Sequence, residues 1–297
     1  MEPNFIKITN GKNTHWRYIS SLLVILAFMF IVGLIGYVIS LFIAGAINPE
    51  LINVNDMVIT DPLVDFYLTH IINIITVIGI WIAARAILKR KLISFITPYD
   101  KINWSKITYG FLVAFILFAI FSLVDYALFP DDYMLNNFDG SRFAWLLIAA
   151  ILLVPIQTTS EELIFRGFLL QWIGKFTKNP ILLTIVVGGI FGSLHFWNPE
   201  MEHGAIWIAI DYLAMGFIWT YITIKTNSSE YSIGAHAANN MFLCIFLTME
   251  DTVVGDIPSL FVLTNVNAMS SAITTVIIGL VFSFIVLRKN NRENKIS

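Results

Sequence analysis

Apolar runs of about 18 or more residues, the length an α-helix needs to cross a ~30 Å hydrocarbon core, recur along this chain with short polar connections between them. They predict eight spans, at about 18–44, 63–87, 107–128, 143–175, 180–197, 204–224, 232–248 and 267–287. The fourth is longer than a bilayer requires, so it must tilt, break or project beyond one face. The expectation is an all-α fold, a polytopic membrane helical bundle of about eight transmembrane helices. A tail over 1–17 precedes a single bundle over 18–287, and a second tail covers 288–297. No internal repeat or glycine-rich phosphate loop marks a second domain, and the longest irregular connections are 129–142 and 249–266.

Charge sorts the connections into two sets. Lys89, Arg90, Lys91, Lys101, Lys106, Lys175, Lys178, Lys225, Arg288, Lys289, Arg292 and Lys295 fall on one side. Asp131, Asp132, Asp139, Glu200, Glu202, Glu250, Asp251 and Asp256 fall on the other, with Arg142 the one clear basic exception. Basic residues flank cytoplasmic ends, so both termini are expected in the cytoplasm, and an even span count agrees. The setting expected is the plasma membrane of a prokaryote, with the lipid bilayer as the principal partner. A formal net charge of −2 and the lack of a basic stripe argue against nucleic acid. The single cysteine, Cys244, lies in an apolar run and reads as a small hydrophobe. Lys7, Lys12 and Arg17 precede the first run, and Ala44-Gly45-Ala46 imitates a cleavage site. That run is too long for a signal-peptide core of ~7–15 residues, so a retained span is expected. The C-terminus carries no prenylation cysteine, so the chain is not expected to be prenylated itself.

Candidate chemistry sits inside the spans. Ser160-Glu161-Glu162-Leu163-Ile164-Phe165-Arg166 places three ionisable groups in a helix, where a charge at the bilayer centre costs roughly 2.5–3.5 kcal/mol. Glu162 and Arg166 are four apart with the acid first, the favourable order for a pair. A packed ion cluster or a working site accounts equally well for those two. Glu161 faces about 100° away, where Arg166 screens it less directly. An unpaired buried carboxylate is expensive, which favours a proton-transfer role there. Phe191 and His195 share a face, as do His236 and Asn240. Glu161 lies roughly 21 Å, His195 roughly 22 Å and His236 roughly 14 Å from the cytoplasmic ends of their helices, one slab of the membrane. An acidic pair, two histidines and an amide at one depth make the inventory of a hydrolytic site, with His236 and Asn240 a clamp for an oxyanion. Taken singly, each histidine reads better as a hydrogen bond between helices. His15 and His203 read as solvated residues, His70 as a cap or snorkelling group, and Asp125 as an interfacial acid. Asp211 is deep and has no partner to name.

Three motifs in this order on successive helices, Glu161-Glu162 to Arg166, Phe191 to His195 and His236 to Asn240, resemble the CAAX prenyl protease and bacteriocin-processing family, also called Abi or CPBP. The flanks Phe165-Arg166-Gly167-Phe168-Leu169-Leu170 and Ser232-Ile233-Gly234-Ala235 are similar to it as well, and the match covers roughly 143–247. The resemblance implies an intramembrane endopeptidase in which Glu161 and His195 activate water while His236 and Asn240 hold the oxyanion. Glu162, Arg166 and Phe191 would shape the site. Glu161, His195 and His236 are a chemically reasonable set for a divalent metal such as zinc, although the spacing is not His-Glu-x-x-His. The substrate expected is a peptide or membrane protein, lipidated or not. A catalytically idle scaffold or bacteriocin-immunity protein using the same cavity is the alternative. A proton-coupled transporter is a third reading, without the paired broken helices that would support it.

Overall fold

The structure is a computed structural model, and it describes residues 4–8, 10–53, 56–249, 252–253 and 255–296. Glu250 and Asp251, two of the expected loop acids, lie outside the described residues. Among the described residues, helices lie where the apolar runs place them: α1 His15–Ile47, α2 Pro62–Ile87, α3 Trp104–Leu128, α4 Gly140–Ile173, α5 Pro180–Ser193, α6 Ala205–Thr226, α7 Glu230–Phe246 and α8 Ala268–Ile296. Among the described residues six of these, all but α5 and α7, are long and apolar enough to cross a membrane. The fourteen residues of α5 rise only about 21 Å, short of a ~30 Å core.

Helix starts follow local chemistry. The Asp61 side chain accepts from Leu63 and Val64 N–H at 2.9 and 3.2 Å with Pro62 at the first position of α2. Asp139 opens α4 and Asn179-Pro180 opens α5 in the same way. Arg142, the basic exception among the outer acids, is held by Asp61 through two bonds of 2.7 and 2.9 Å, so its charge is matched locally. The long fourth span does break. Its first α-helical stretch ends at Leu152, and the second begins at Val154 with Pro155 inside its first turn, where the ring removes a backbone donor. A π-helical stretch, Leu163–Leu169, follows directly after Glu162.

At the centre lies α7. From Glu230 to Asn239 every residue is buried, and half are small: Ser232, Gly234, Ala235, Ala237 and Ala238. Small residues let neighbouring backbones come close in a membrane protein. A Cβ on Gly234 would sit 2.1 Å from the Ile107 carbonyl oxygen of α3. The α5–α6 crossing is as tight, since a Cβ on Gly216 would lie 2.3 Å from the Gly188 carbonyl oxygen. A helix walled in by protein can be short and polar, as α7 is.

The connections are not wholly irregular. A two-stranded ribbon, β1 Ile52–Asn53 with β2 Val58–Ile59, lies between α1 and α2. In the two longest connections, strands β3 (Tyr133–Leu135), β4 (Leu247–Met249) and β5 (Phe261–Leu263) form a small sheet in the order β3-β5-β4, antiparallel at β3-β5 and parallel at β4-β5. His70 is buried, its Nδ1 2.6 Å from the Phe66 carbonyl oxygen, and does not snorkel to the surface. Asp125 accepts the Tyr133 hydroxyl, and Asp211 has Thr275 of α8 beside it.

Candidate active site

Glu162 and Arg166 are both fully buried, and one guanidinium nitrogen lies 2.9 Å from Glu162 Oε1. The same oxygen meets His236 Nδ1 at 3.0 Å. Arg166 also donates to the Gly216 carbonyl at 3.3 Å and stacks over Phe191, 4.0 Å from its centroid, and Trp219, 5.5 Å. A buried charge survives when paired, hydrogen-bonded and faced by aromatic π-density, and Arg166 has all three. The Glu162 carboxylate accepts from His236, so Nδ1 carries a proton and Nε2 is the ring atom turned toward Glu161, 3.7 Å from its Oε2. Trp219 stacks on the His236 ring, with centroids 4.3 Å apart.

Glu161 is held differently. Gln157, one turn earlier on α4, donates its amide to Glu161 Oε1. The Gln157 oxygen accepts from Asn240 Nδ2 at 3.1 Å, and the Asn240 oxygen accepts from Asn239 Nδ2 at 2.9 Å. Each amide in this chain donates to the next, from Asn239 through Asn240 and Gln157, and the chain ends on Glu161 Oε1. Glu161 Oε2 is buried and has no hydrogen-bond partner, although the side chain as a whole is 21% exposed.

His195 lies beyond the end of α5, in a turn, where a continuing helix was expected. Its backbone N–H bonds to Gly192 O at 3.1 Å, so Phe191 O is left for the imidazole, and Nδ1 takes it at 2.9 Å. A carbonyl oxygen only accepts, so that bond places a proton on Nδ1 and leaves Nε2 as the ring nitrogen outside it. Phe191 stands between the two histidines, its ring 4.8 Å from His195 and 5.8 Å from His236. It is a spacer inside the site, buried between the two rings.

A family model described as type II CAAX prenyl endopeptidase Rce1-like matches residues 140–242, which contain every residue named above. Over 285 residues the chain is 50% identical to the uncharacterized protein YyaK of Bacillus subtilis (strain 168), covering 96% of this chain and 95% of that one. The chain belongs to the Rce1-like CAAX prenyl endopeptidase family. No solved structure matches it. Rce1-like proteins are intramembrane proteases, and with six helices of spanning length the chain is an integral membrane protein.

The Rce1-like site therefore brings Glu161, Glu162, Arg166, Phe191, His236 and Asn240 into one connected cluster, and joins His195 to it through Phe191. Three contributors escaped the sequence reading. Gln157 links Glu161 to Asn240, and its i,i+4 spacing from Glu161 was a signal that could have found it. Trp219 and Tyr212, the latter stacked on His195 at 4.8 Å, are aromatics in a span and carried no such signal. Among the described residues no three His, Cys, Asp or Glu side chains converge as a metal set, so Glu161, His195 and His236 do not form one as they stand.

Proposed function

We propose that this protein is an intramembrane endopeptidase in which Glu161 is the general base. The supporting observation is the unlike state of the two oxygens of one carboxylate: Oε1 is fixed by Gln157, while Oε2 is buried, has no hydrogen-bond partner and is turned toward His236. A water at Oε2 would give its proton to Glu161 as its oxygen bonds to the scissile carbonyl carbon. The carbonyl π-pair moves onto oxygen, and the resulting oxyanion takes hydrogen bonds from His236 Nε2–H and Asn240 Nδ2–H. Glu161 then returns the proton to the amide nitrogen as the C–N bond breaks. His195, whose Nδ1 is taken by the Phe191 carbonyl, offers Nε2 as the second acceptor for the water. A divalent metal would need His195 and Glu161 to close on one centre, and no step here depends on it.

The substrate class proposed is a peptide segment of a membrane-associated protein, lipidated or not, presented at the cytoplasmic face of a prokaryotic plasma membrane. The test is cleavage of a peptide library by purified protein in detergent, with and without chelator. Defined cleavage products in both conditions support the reading. No cleavage of any peptide, or activity abolished by chelator and restored by zinc, overturns the mechanism as written.

A further inference from the structure

Outside the cluster, a second buried cation lacks an anion among the described residues. Arg90 follows α2 and is 5% exposed, with its guanidinium carbon 4.3 Å from the Phe95 centroid and 5.8 Å from that of Tyr18. Nη1 meets Asn13 Oδ1 at 3.5 Å with the Tyr18 hydroxyl alongside. Nε and Nη2 are buried and have no partner. Those two nitrogens share one edge of the guanidinium plane, and their N–H bonds run parallel. Lys175 arrives from the end of α4, its ammonium 5.7 Å from the Tyr18 centroid and donating to the Asn13 carbonyl. Asn13 is turned for this, since its amide nitrogen is spent on Asn10 O at 2.8 Å.

Two cations thus converge on Asn13 and Tyr18. Among the described residues neither belongs to an ion pair; the Lys and Arg pairs are Lys91–Asp100, Arg142–Asp61, Arg166–Glu162 and Lys289–Glu293. An unpaired buried guanidinium is costly, and two free parallel donors call for an acceptor with two oxygens. Tyr18 lies near the start of α1, Arg90 just past the end of α2 at Ile87, and Lys175 just past the end of α4 at Ile173. Three spans therefore reach the membrane boundary together at this point, the level of lipid phosphate groups. Lys12, Arg17, Lys89 and Lys91 are close in sequence to it.

We propose that Arg90 and Lys175 form a phosphate-binding site at the membrane boundary, with the Nε and Nη2 edge of Arg90 taking two oxygens of one phosphate and Lys175 supplying a third contact. The phosphate belongs to a lipid headgroup or to phosphate from solution. A planar fork suits this geometry, which a lysine at position 90 would not reproduce.

The test is the melting midpoint of the full chain in detergent during titration with phosphatidylglycerol, with diacylglycerol of the same acyl chains, or with inorganic phosphate. Phosphatidylglycerol is expected to raise the midpoint saturably and diacylglycerol to leave it unchanged. Arg90→Met keeps the apolar packing on Phe95 and Tyr18 but loses the fork, and should weaken the apparent affinity by at least about tenfold. Its ligand-free midpoint should match or exceed that of the unaltered protein. Lys175→Gln alters an exposed residue, so it folds in any case, and should weaken binding by a smaller factor. A shift with inorganic phosphate as well assigns a soluble source, and a shift with the lipid alone assigns the headgroup; both uphold the site. Equal shifts with diacylglycerol and phosphatidylglycerol, or unaltered affinity in both variants, overturn it.

Discussion

Replacing Arg166 by Met leaves Glu162 without its guanidinium partner in a position that is 0% exposed. The substitution removes the 2.9 Å bond to Glu162, the 3.3 Å bond to Gly216 O and the stacking on Phe191 and Trp219. Breaking a buried pair from one side costs about 3–5 kcal/mol, because the partner charge stays behind. His236 still donates to Glu162 Oε1, so the loss should fall near the lower end, about 3 kcal/mol. The double variant Glu162→Gln/Arg166→Met has no stranded charge and should be more stable than Arg166→Met alone, a positive coupling of about 1–3 kcal/mol in the cycle. Equilibrium unfolding in mixed detergent micelles, followed by tryptophan fluorescence, measures all three variants. An Arg166→Met protein as stable as the unaltered one, or a double variant no better than the single, would refute the view that this pair is held by mutual neutralisation.

Other outcomes follow from the same geometry. Gln157→Leu removes the amide that fixes Glu161 Oε1, and should lower kcat by about tenfold or more while the melting midpoint stays within a degree or two; unchanged kcat would show that Glu161 needs no such support. His195→Ala should lose about 10²–10⁴ in turnover, read with the same peptide. The hydrogen bond from Arg142 chiefly holds the Asp61 carboxyl below the usual carboxylate range. Its stabilisation is therefore complete above the unfolded value of about 3.9 and is lost as pH falls through the lower folded value. Asp61→Asn, which keeps a capping side chain, should melt below the unaltered protein at neutral pH, and the two should converge on strong acidification; a constant gap would exclude the pair as its source. In a Cys244→Ala background, Lys178→Cys should react with an impermeant thiol reagent only in inside-out vesicles and Glu202→Cys only in intact cells. The reverse pattern would invert the orientation read from the basic loops.

Most helix positions were legible because six of the apolar runs form helices long enough to span a bilayer, which dictates helix whatever the tertiary contacts. The break in α4 was legible as excess length, and Pro155 decides where it falls. The short β3-β5-β4 sheet was not, since three-residue strands leave no periodicity and β3 pairs with β5 across more than a hundred positions. Charge and spacing marked Glu162 with Arg166, because an acid four residues before a base in hydrocarbon has few other solutions. They could not show that His236 would share the same carboxylate oxygen, which depends on how closely α7 approaches α4. Nor could they show that α5 stops at Ser193 and lets the His195 ring take the Phe191 carbonyl. Gly167 and Gly234 read as neutral flanks of motifs, yet each sits in a backbone contact that excludes any side chain. A Cβ on Gly167 would lie 2.5 Å from Phe95 O, and one on Gly234 would lie 2.1 Å from Ile107 O.

The central claim is that Glu161 accepts the proton of the attacking water. Its most direct test is the turnover of Glu161→Gln on a peptide that the unaltered protein cleaves, measured beside its melting midpoint. Glutamine keeps the shape and the contact with Gln157 while removing the base, so turnover should fall by about 10²–10⁴ with the midpoint nearly unchanged. Glu161→Gln turning over at the unaltered rate would contradict the account.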